Sequence, residues 1–491
     1  MKEILPVKYE GEAVEYDDSS LAETSLTCGK RMFFRKSHER ARRTLAFIQR
    51  PTPILAEYEI LNAVKDKLGI ELHPETDNKS QYHPQGLVPA LARYGSPLHY
   101  KPNSKALQRA MDLTLAAFGN VTGDMEPLPL DDGLRNVVWM DKSSGLPECT
   151  KKGDAFDRDL PRAMRIARGE ILAPPCIAYH RVQHGKTGPK TRLVWGYPQS
   201  QFLLEAMFAP KLLDRFLDRR TPMTIGLFKS QIGTRMARIR NAGVFYSIDF
   251  SGFDSSVPPE LIAFAFSVLK SHFVHFSEHE EIVWDKVVNY FIHTPIMMPN
   301  QQVYIKHRGV PSGSYFTSMV DSIVNYLAIQ YAWIVNTGEA LDSRNTMVLG
   351  DDSLIGHVHN VPLIKLAEAF SELNLTMNVD KTKVGYAGKD WPHFLGHDWK
   401  WGMPDRPLEE SAKQASFPEK PSRIKDAHSR AMIRAFSRWS DAVSIHKLLA
   451  LFSPEDTPRL LQAYSAALWG LDGSEWVEKS MRPGFSAHME E

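Results

Sequence analysis

The chain is poor in cysteine. Its three, Cys28, Cys149 and Cys176, are too few and too scattered among 491 residues for a disulfide framework or a structural zinc site, so a reducing compartment is the expectation. Long apolar runs are also missing. Nothing approaches the ~18 consecutive apolar residues of a membrane span, and Met1-Lys-Glu-Ile-Leu-Pro6 lacks the apolar core of a secretion signal. Internal repeats and low-complexity tracts are absent, which excludes a repeat array or a biased linker. Net charge is missing as well, because 59 Lys and Arg face 58 Asp and Glu, a formal +1. A surface for a polyanion must therefore come from local segregation of charge.

Such segregation is present. Lys30, Arg31, Arg35, Lys36, Arg40, Arg42, Arg43 and Arg50 face a single acid, Glu39. Between Tyr179 and Trp195, Arg181, Lys186, Lys190 and Arg192 stand with two histidines and no acid. Basic tracks of this kind suit a phosphate backbone, although a charged run is by default a solvated face.

Two acidic clusters lie beside short apolar stretches that read as strands. Asp249-Phe-Ser-Gly-Phe-Asp254 follows Val244-Phe-Tyr-Ser-Ile, and Gly350-Asp351-Asp352 sits between Thr346-Met-Val-Leu349 and Ser353-Leu-Ile355, a hairpin with carboxylates at its tip. Each alone is equally well explained as a turn, since Asp and Gly form turns readily. Together they have the character of a two-metal phosphoryl-transfer site, because carboxylates facing a core need neutralising cations and Mg²⁺ takes hard oxygen ligands.

Between the clusters, Gly309-Val-Pro-Ser312-Gly313-Ser-Tyr-Phe-Thr317 opens into a mostly apolar helix expected over about 315–335, interrupted by Asp321, Asn325 and Gln330. A Ser-Gly loop at a helix start lets backbone approach a sugar-phosphate closely, while Ser312 can equally be an N-cap. Further helices are expected over 55–68, 104–118, 201–219, 258–273 with Ser255 or Ser256 as N-cap, 363–373, 423–451 and 458–469.

Asp-x4-Asp, then Ser-Gly-x3-Thr-x7-Asn, then Gly-Asp-Asp, in this order and spacing, resembles motifs A, B and C of viral RNA-dependent RNA polymerases. The wording of the Ser312 segment, with Gly-Asp-Asp-Ser353, is most similar to the polymerases of partitiviruses, which carry segmented double-stranded RNA genomes. The flanks extend the likeness. Lys142-Ser143-Ser144-Gly145-Leu146-Pro147 with Lys151-Lys152-Gly153-Asp154 is similar to motif G, and Lys186-Thr-Gly-Pro-Lys190-Thr-Arg192 to motif F. Leu375 to Lys383 is similar to motif D, and Phe394-Leu395-Gly396 to motif E.

The resemblance implies an α+β right hand closed by its fingertips. Fingers would occupy 1–245 with part of the palm at about 200–225, a palm on an antiparallel sheet 246–400 with a fingers insertion at about 275–308, and a helical thumb 401–491. It implies an RNA-directed RNA polymerase that replicates and transcribes a double-stranded RNA genome from ribonucleoside triphosphates. Two Mg²⁺ ions would serve, with Mn²⁺ as a substitute; RNA template and product and a capsid protein would be partners, and no membrane. The setting would be the virion interior and the host cytoplasm.

By the same resemblance, Asp249, Asp351 and Asp352 are catalytic metal ligands and Lys186, Lys190 and Arg192 bind the triphosphate. Lys381, with Lys383 as rival, protonates the leaving pyrophosphate. Ser143, Ser144, Gly145 and Gly313 guide the template, and Phe394, Leu395 and Gly396 form a priming hairpin. Ribose selection falls to Asp254, Ser312, Thr317 and an Asn of motif B. Positive-strand RNA virus polymerases carry that Asn four positions after the Thr, where this chain has Asp321; Asn325 lies one turn later on the same helix face. Two acids against one ribose repel unless a proton or cation is shared, so Asn325 is favoured and Asp321 is left as structural.

Three other readings fit less of the chain. A reverse transcriptase usually has an aromatic-x-Asp-Asp where Leu349-Gly350-Asp351-Asp352 stands, and a two-metal nuclease leaves the Ser-Gly helix and the Lys190 loop without a purpose. A binding protein on a dead palm does not need all three metal-site aspartates.

Overall fold

The computed structural model describes residues 16–120, 122–185, 188–218 and 220–421, together with 430, 431, 448 and 451. The helices expected over 423–451 and 458–469 lie outside the described residues, apart from those few positions, and so does Lys186. In chain order the strands are β1 (Thr27–Cys28), β2 (Cys176–Gly185), β3 (Gly188–Gly196), β4 (Val244–Ile248), β5 (Pro295–Met297), β6 (Val303–Ile305), β7 (Thr346–Leu349), β8 (Asp352–His357), β9 (Lys383–Tyr386), β10 (His393–Phe394), β11 (His397–Lys400) and β12 (Met403–Asp405).

β4 is apolar at four of five positions and wholly buried, and it is one of the two inner strands of an antiparallel sheet ordered β7-β8-β4-β9. Alternation along the strand sends its side chains to both faces. Tyr246 meets Trp333 of the helix Thr317–Thr337 edge-on, and Phe245 joins Ile232, Met236 and Ile239 of the helix Lys229–Arg240. The Thr317–Thr337 helix is buried continuously from Met319 to Ile334, as a helix with apolar residues on every side must be, and it carries Asp321, Asn325 and Gln330 into the interior with it. The pairs Ile248↔Ser353 and Leu349↔Asp352 bring the ends of β4, β7 and β8 to one edge of the sheet.

A second sheet, ordered β1-β6-β5-β2-β3, gathers segments distant in sequence around the long β2–β3 hairpin. A third, β10-β11-β12, packs Phe394 and Trp399 beneath β4 and β8, among Phe245 and Leu354. Early chain and late chain also meet. Ile60 and Val64 of the helix Tyr58–Leu68 pack on Ala412 and Ala415 of the helix Leu408–Ser416, while Glu57 takes the Arg430 guanidinium in two bonds of 2.7 and 2.6 Å.

Several expected boundaries moved, each for a local reason. The single helix expected over 201–219 is two, Gln199–Ala206 and Ala209–Asp218, because Pro210 has no N–H with which to continue the first and is at home in the first turn of the second. Neither Ser255 nor Ser256 caps the helix Pro259–Lys270. Both hydroxyls donate to the Gly252 carbonyl and close the short turn Phe253–Ser256 instead. Among the described residues no helix is long and apolar enough to cross a membrane.

Candidate active site

β7 returns as β8 through a two-residue loop, Gly350-Asp351. Gly350 has φ +61°, the sign that the first loop position of a type II′ hairpin turn requires and that a side chain disfavours. The turn sets Asp351 at the tip and Asp352 at the head of β8. Asp249, the residue after β4, stands beside Asp352 because Ile248 pairs with Ser353. Its backbone is fixed on both sides: the Asp249 N–H donates to Thr382 Oγ1 at 3.2 Å, and the Asn378 N–H donates to its carbonyl at 2.7 Å. Asp254 follows on the Phe253–Ser256 turn, and its carbonyl accepts from the Val310 N–H at 2.6 Å, joining it to the Ser312 loop.

The carboxylates feel one another. Burial and then Asp351 and Asp249 push Asp352 up to about 7; burial and then Asp351 push Asp254 up to about 6. Asp351 is also raised, by burial first and by Asp249, and the Arg192 guanidinium draws all three back. Asp321 is buried and held far above the carboxylate range, chiefly by burial and then by Asp254 and Asp351, with its Oδ1 making no hydrogen bond.

Among the described residues no three His, Cys, Asp or Glu side chains converge as a preformed metal cage. The donor set nonetheless fits Mg²⁺. It consists of hard carboxylate oxygens, and Mg²⁺ characteristically takes one or two carboxylates and completes its shell with water and substrate phosphates.

Opposite the acids lies a basic wall. Lys190 and Arg192 project exposed from β3. Burial and then Arg93, Arg192 and Lys381 hold the Lys190 ammonium below its usual range, while Asp249 works against them. Arg93 was not foreseen. It sits on the turn Arg93–Gly95, about a hundred residues before β3, and no local pattern marks it. Lys383 points elsewhere: its Nζ donates to Asp398 at 3.0 Å and meets His393 at 3.1 Å, a contact of the third sheet. Of the two lysines, the structure brings Lys381 to the basic wall.

The Ser312 loop is held tightly. Ser312 is not an N-cap, a place Phe316 occupies; its Oγ accepts from the Trp195 N–H at 3.3 Å. The Thr317 hydroxyl donates to the Pro311 carbonyl at 2.7 Å, so its proton closes the loop and only its lone pairs remain for a ligand. A Cβ on Gly313 would stand inside contact distance of the Trp195 carbonyl oxygen. Gly313→Ala is accordingly expected to displace the loop and destabilise the fold, an overpacking effect of about 1–3 kcal/mol, measurable as a lowered Tm in thermal unfolding.

The Asn325 amide is engaged by the hairpin that carries Asp351. Its Nδ2 donates to the Gly350 carbonyl at 2.9 Å and the Asp352 carbonyl at 3.3 Å, bracing the hairpin from beneath, and it is Asp321 that the helix turns toward Asp254. One turn of rise separates the two residues, and it is Asp321 that lies in the field of Asp254 and Asp351.

In the loop Ser143–Gly145, Ser143 is exposed, whereas Ser144 is buried with its hydroxyl accepting from the Thr150 N–H at 3.1 Å; Ser144 therefore closes the loop and does not line a path. Gly145, at φ +62°, rests against the Tyr197 carbonyl. Leu395 and Gly396 form the turn between β10 and β11, and Phe394 is buried in the core beneath.

A four-stranded antiparallel sheet with carboxylates on one edge, a Ser-Gly loop entering a buried helix and a basic hairpin opposite define the palm of a right-hand template-directed polymerase. The chain belongs to the family described as viral RNA-dependent RNA polymerase, whose pattern matches residues 187–436, just over half of its length. It is 29% identical over 348 residues to the RNA-directed RNA polymerase of Cryptosporidium parvum virus 1, covering 63% of this chain and 65% of that protein, somewhat less than two thirds. It is 27% identical over 153 residues to the RNA-directed RNA polymerase of Atkinsonella hypoxylon virus, 29% of this chain and 22% of that one. The fold is that of the solved RNA-dependent RNA polymerase of a human picobirnavirus, with a TM-score of 0.62 at 15% identity over 87% of this chain and 88% of that one.

Proposed function

We propose that the chain is an RNA-directed RNA polymerase that copies the genome of a double-stranded RNA virus by nucleotidyl transfer. The observation that carries this reading is that Asp249, Asp351 and Asp352 lie at one end of the sheet, the last two under the field of Arg192, with Lys190 and Lys381 close by. Two Mg²⁺ ions held by those carboxylates would activate the 3′-hydroxyl and neutralise the leaving pyrophosphate. The chain's own residues do the rest. Arg192 offers a planar fork for triphosphate oxygens, Lys190 a point charge beside it, and Lys186 completes the set by family likeness. Asp254 and Asp321 flank the ribose, with Ser312 and Thr317 offering acceptor oxygens.

Lys381 serves as the general acid. Lys381→Leu is expected to lower turnover ~10²-fold, the low end of general acid catalysis, and to flatten the alkaline limb of the pH–rate profile, while Lys383→Leu leaves that limb in place. Pre-steady-state incorporation across pH distinguishes them.

The domain reading follows the same likeness: fingers over 1–245 with part of the palm at about 200–225, palm over 246–400, thumb from 401. The pairing of β5 and β6 with β1 and β2 supports treating about 275–308 as a fingers insertion. RNA template and product, a capsid partner and a virion setting belong to this proposal, as do Ser143 and Gly313 against the template and the β10–β11 turn at Leu395 and Gly396 near the primer terminus.

The test is direct. Purified protein with a single-stranded RNA template, four ribonucleotides and Mg²⁺ or Mn²⁺ is expected to yield labelled RNA. Incorporation of deoxyribonucleotides alone would indicate a reverse transcriptase, and absence of any product with intact RNA binding would indicate a binding protein.

A further inference from the structure

Glu205 is a buried acid that no motif contains. It lies in the helix Gln199–Ala206, every residue of which is buried. One oxygen, Oε2, accepts from Ser314 Oγ at 2.8 Å and from the Tyr315 N–H at 2.8 Å, the last links of the Ser312 loop before the Thr317–Thr337 helix begins. The other, Oε1, makes no hydrogen bond. Within its field is Lys152, also buried, its ammonium 3.1 Å above the Phe202 ring. Burial drives the acid up and the amine down, each to about 7, and each pulls the other back.

Lys152 belongs to the segment after the Ser143–Gly145 loop, and the same short helix grips that region at its start. The Gln199 N–H donates to the Ser144 carbonyl at 2.8 Å, and Gln199 Nε2 donates to the Lys152 carbonyl at 3.0 Å. One buried helix thus holds two loops that the chain separates widely. A core acid generally destabilises relative to an apolar residue of similar volume; its return is a fixed geometry for what it binds.

We propose that Glu205 is a positioning residue that sets the place of the Ser312 loop, and so of the ribose pocket, in register with the Ser143–Lys152 segment. It acts through Ser314 and Tyr315 and touches no substrate. The inference rests on the polymerase reading for its kinetic consequence but not for its structural one.

The experiment uses the full chain with Glu205→Gln, which keeps an acceptor oxygen, and Glu205→Leu, which keeps volume without one. Glu205→Leu is expected to speed amide hydrogen exchange across 309–317 by ~10-fold with exchange in β4 and β8 unchanged. It should also lower the ATP-over-dATP preference by ~10-fold through KM, the scale of one hydrogen bond to a charged group. Glu205→Gln is expected to stay within ~3-fold of wild type in both readings, since it retains both bonds. Should Glu205→Leu not fold, Ser314→Ala removes one of the two donors and is expected to show the same pattern more weakly. Wild-type exchange at 309–317 and an unchanged ratio in the Leu variant would overturn the proposal, as would equal impairment of Gln and Leu. Failure of the wild type itself to make RNA would instead overturn the polymerase reading, leaving the exchange result to judge the positioning role.

Discussion

Asp351→Asn is expected to abolish RNA synthesis, by ~10³-fold or more, and at the same time to stabilise the metal-free protein. The loss exceeds that of removing one preorganised electrostatic stabiliser, ~10²–10³-fold, because an amide of equal shape brings no charge to the site proposed to hold the cations. The gain has the opposite root. The charge of Asp351 raises both Asp352 and Asp254, and removing it relieves those two by on the order of 1 kcal/mol.

The sign of the pH dependence follows. Asp352 is raised from 3.8 to about 7, so between those values the folded chain keeps a proton that the unfolded chain has released. Its favourable contribution is complete below the lower value and is lost as pH rises through the upper one. The stabilisation of Asp351→Asn is therefore expected to be larger at pH 8 than at pH 5, and Mg²⁺ is expected to raise the Tm of the wild type more at pH 8 and that of the variant little. Calorimetry in chelator and in Mg²⁺, at both pH values, reads all four. A variant that melts lower than wild type at pH 8 without metal would show that the acids are not in mutual repulsion.

The second large effect separates two residues one turn apart. Asn325→Ala leaves the Gly350 and Asp352 carbonyls without their buried donor, at ~1–3 kcal/mol each, and loosens the hairpin tip that carries Asp351. Incorporation of ATP and dATP is expected to fall together, with their ratio unchanged. Asp321→Ala removes the group beside Asp254 and is expected to cut the ratio ~10–100-fold, because a site built to bond a hydroxyl distinguishes the analogue that lacks it. Asp321→Asn, an amide with permanent donors, is expected to keep most of the preference. Competition between ATP and dATP on one template decides the matter; a ratio sensitive to Asn325 and indifferent to Asp321 would return the ribose to Asn325.

Much of the palm was legible from residues alone, for a reason that is local. Val244 to Ile248 is a buried apolar strand, Gly350 can take the left-handed turn a hairpin needs, and Ser312-Gly313 before a mostly apolar stretch announces a loop entering a buried helix. The order and spacing of these pieces carried the resemblance to a polymerase family, and that resemblance implied the class of chemistry. Even small misreadings were local: Pro210 split a helix, and Ser255 and Ser256 bonded back to Gly252 instead of capping forward.

The division of labour within the site was decided by the tertiary structure. Asp321 and Asn325 share a helix face in the sequence, yet only the packing of that helix under the β7–β8 turn shows that Asn325 braces the carbonyls while Asp321 lies in the field of Asp254. Lys381 and Lys383 are two residues apart, and Asp398 on a different sheet claims the second. Arg93 and Glu205 carry no signature, because their work is done on groups about a hundred residues away. The sequence determined which strands, turns and loops form, since those follow from neighbours along the chain. What each buried polar group bonds was settled where distant segments meet, since a buried charge or amide takes whatever partner the closed fold brings within ~3 Å.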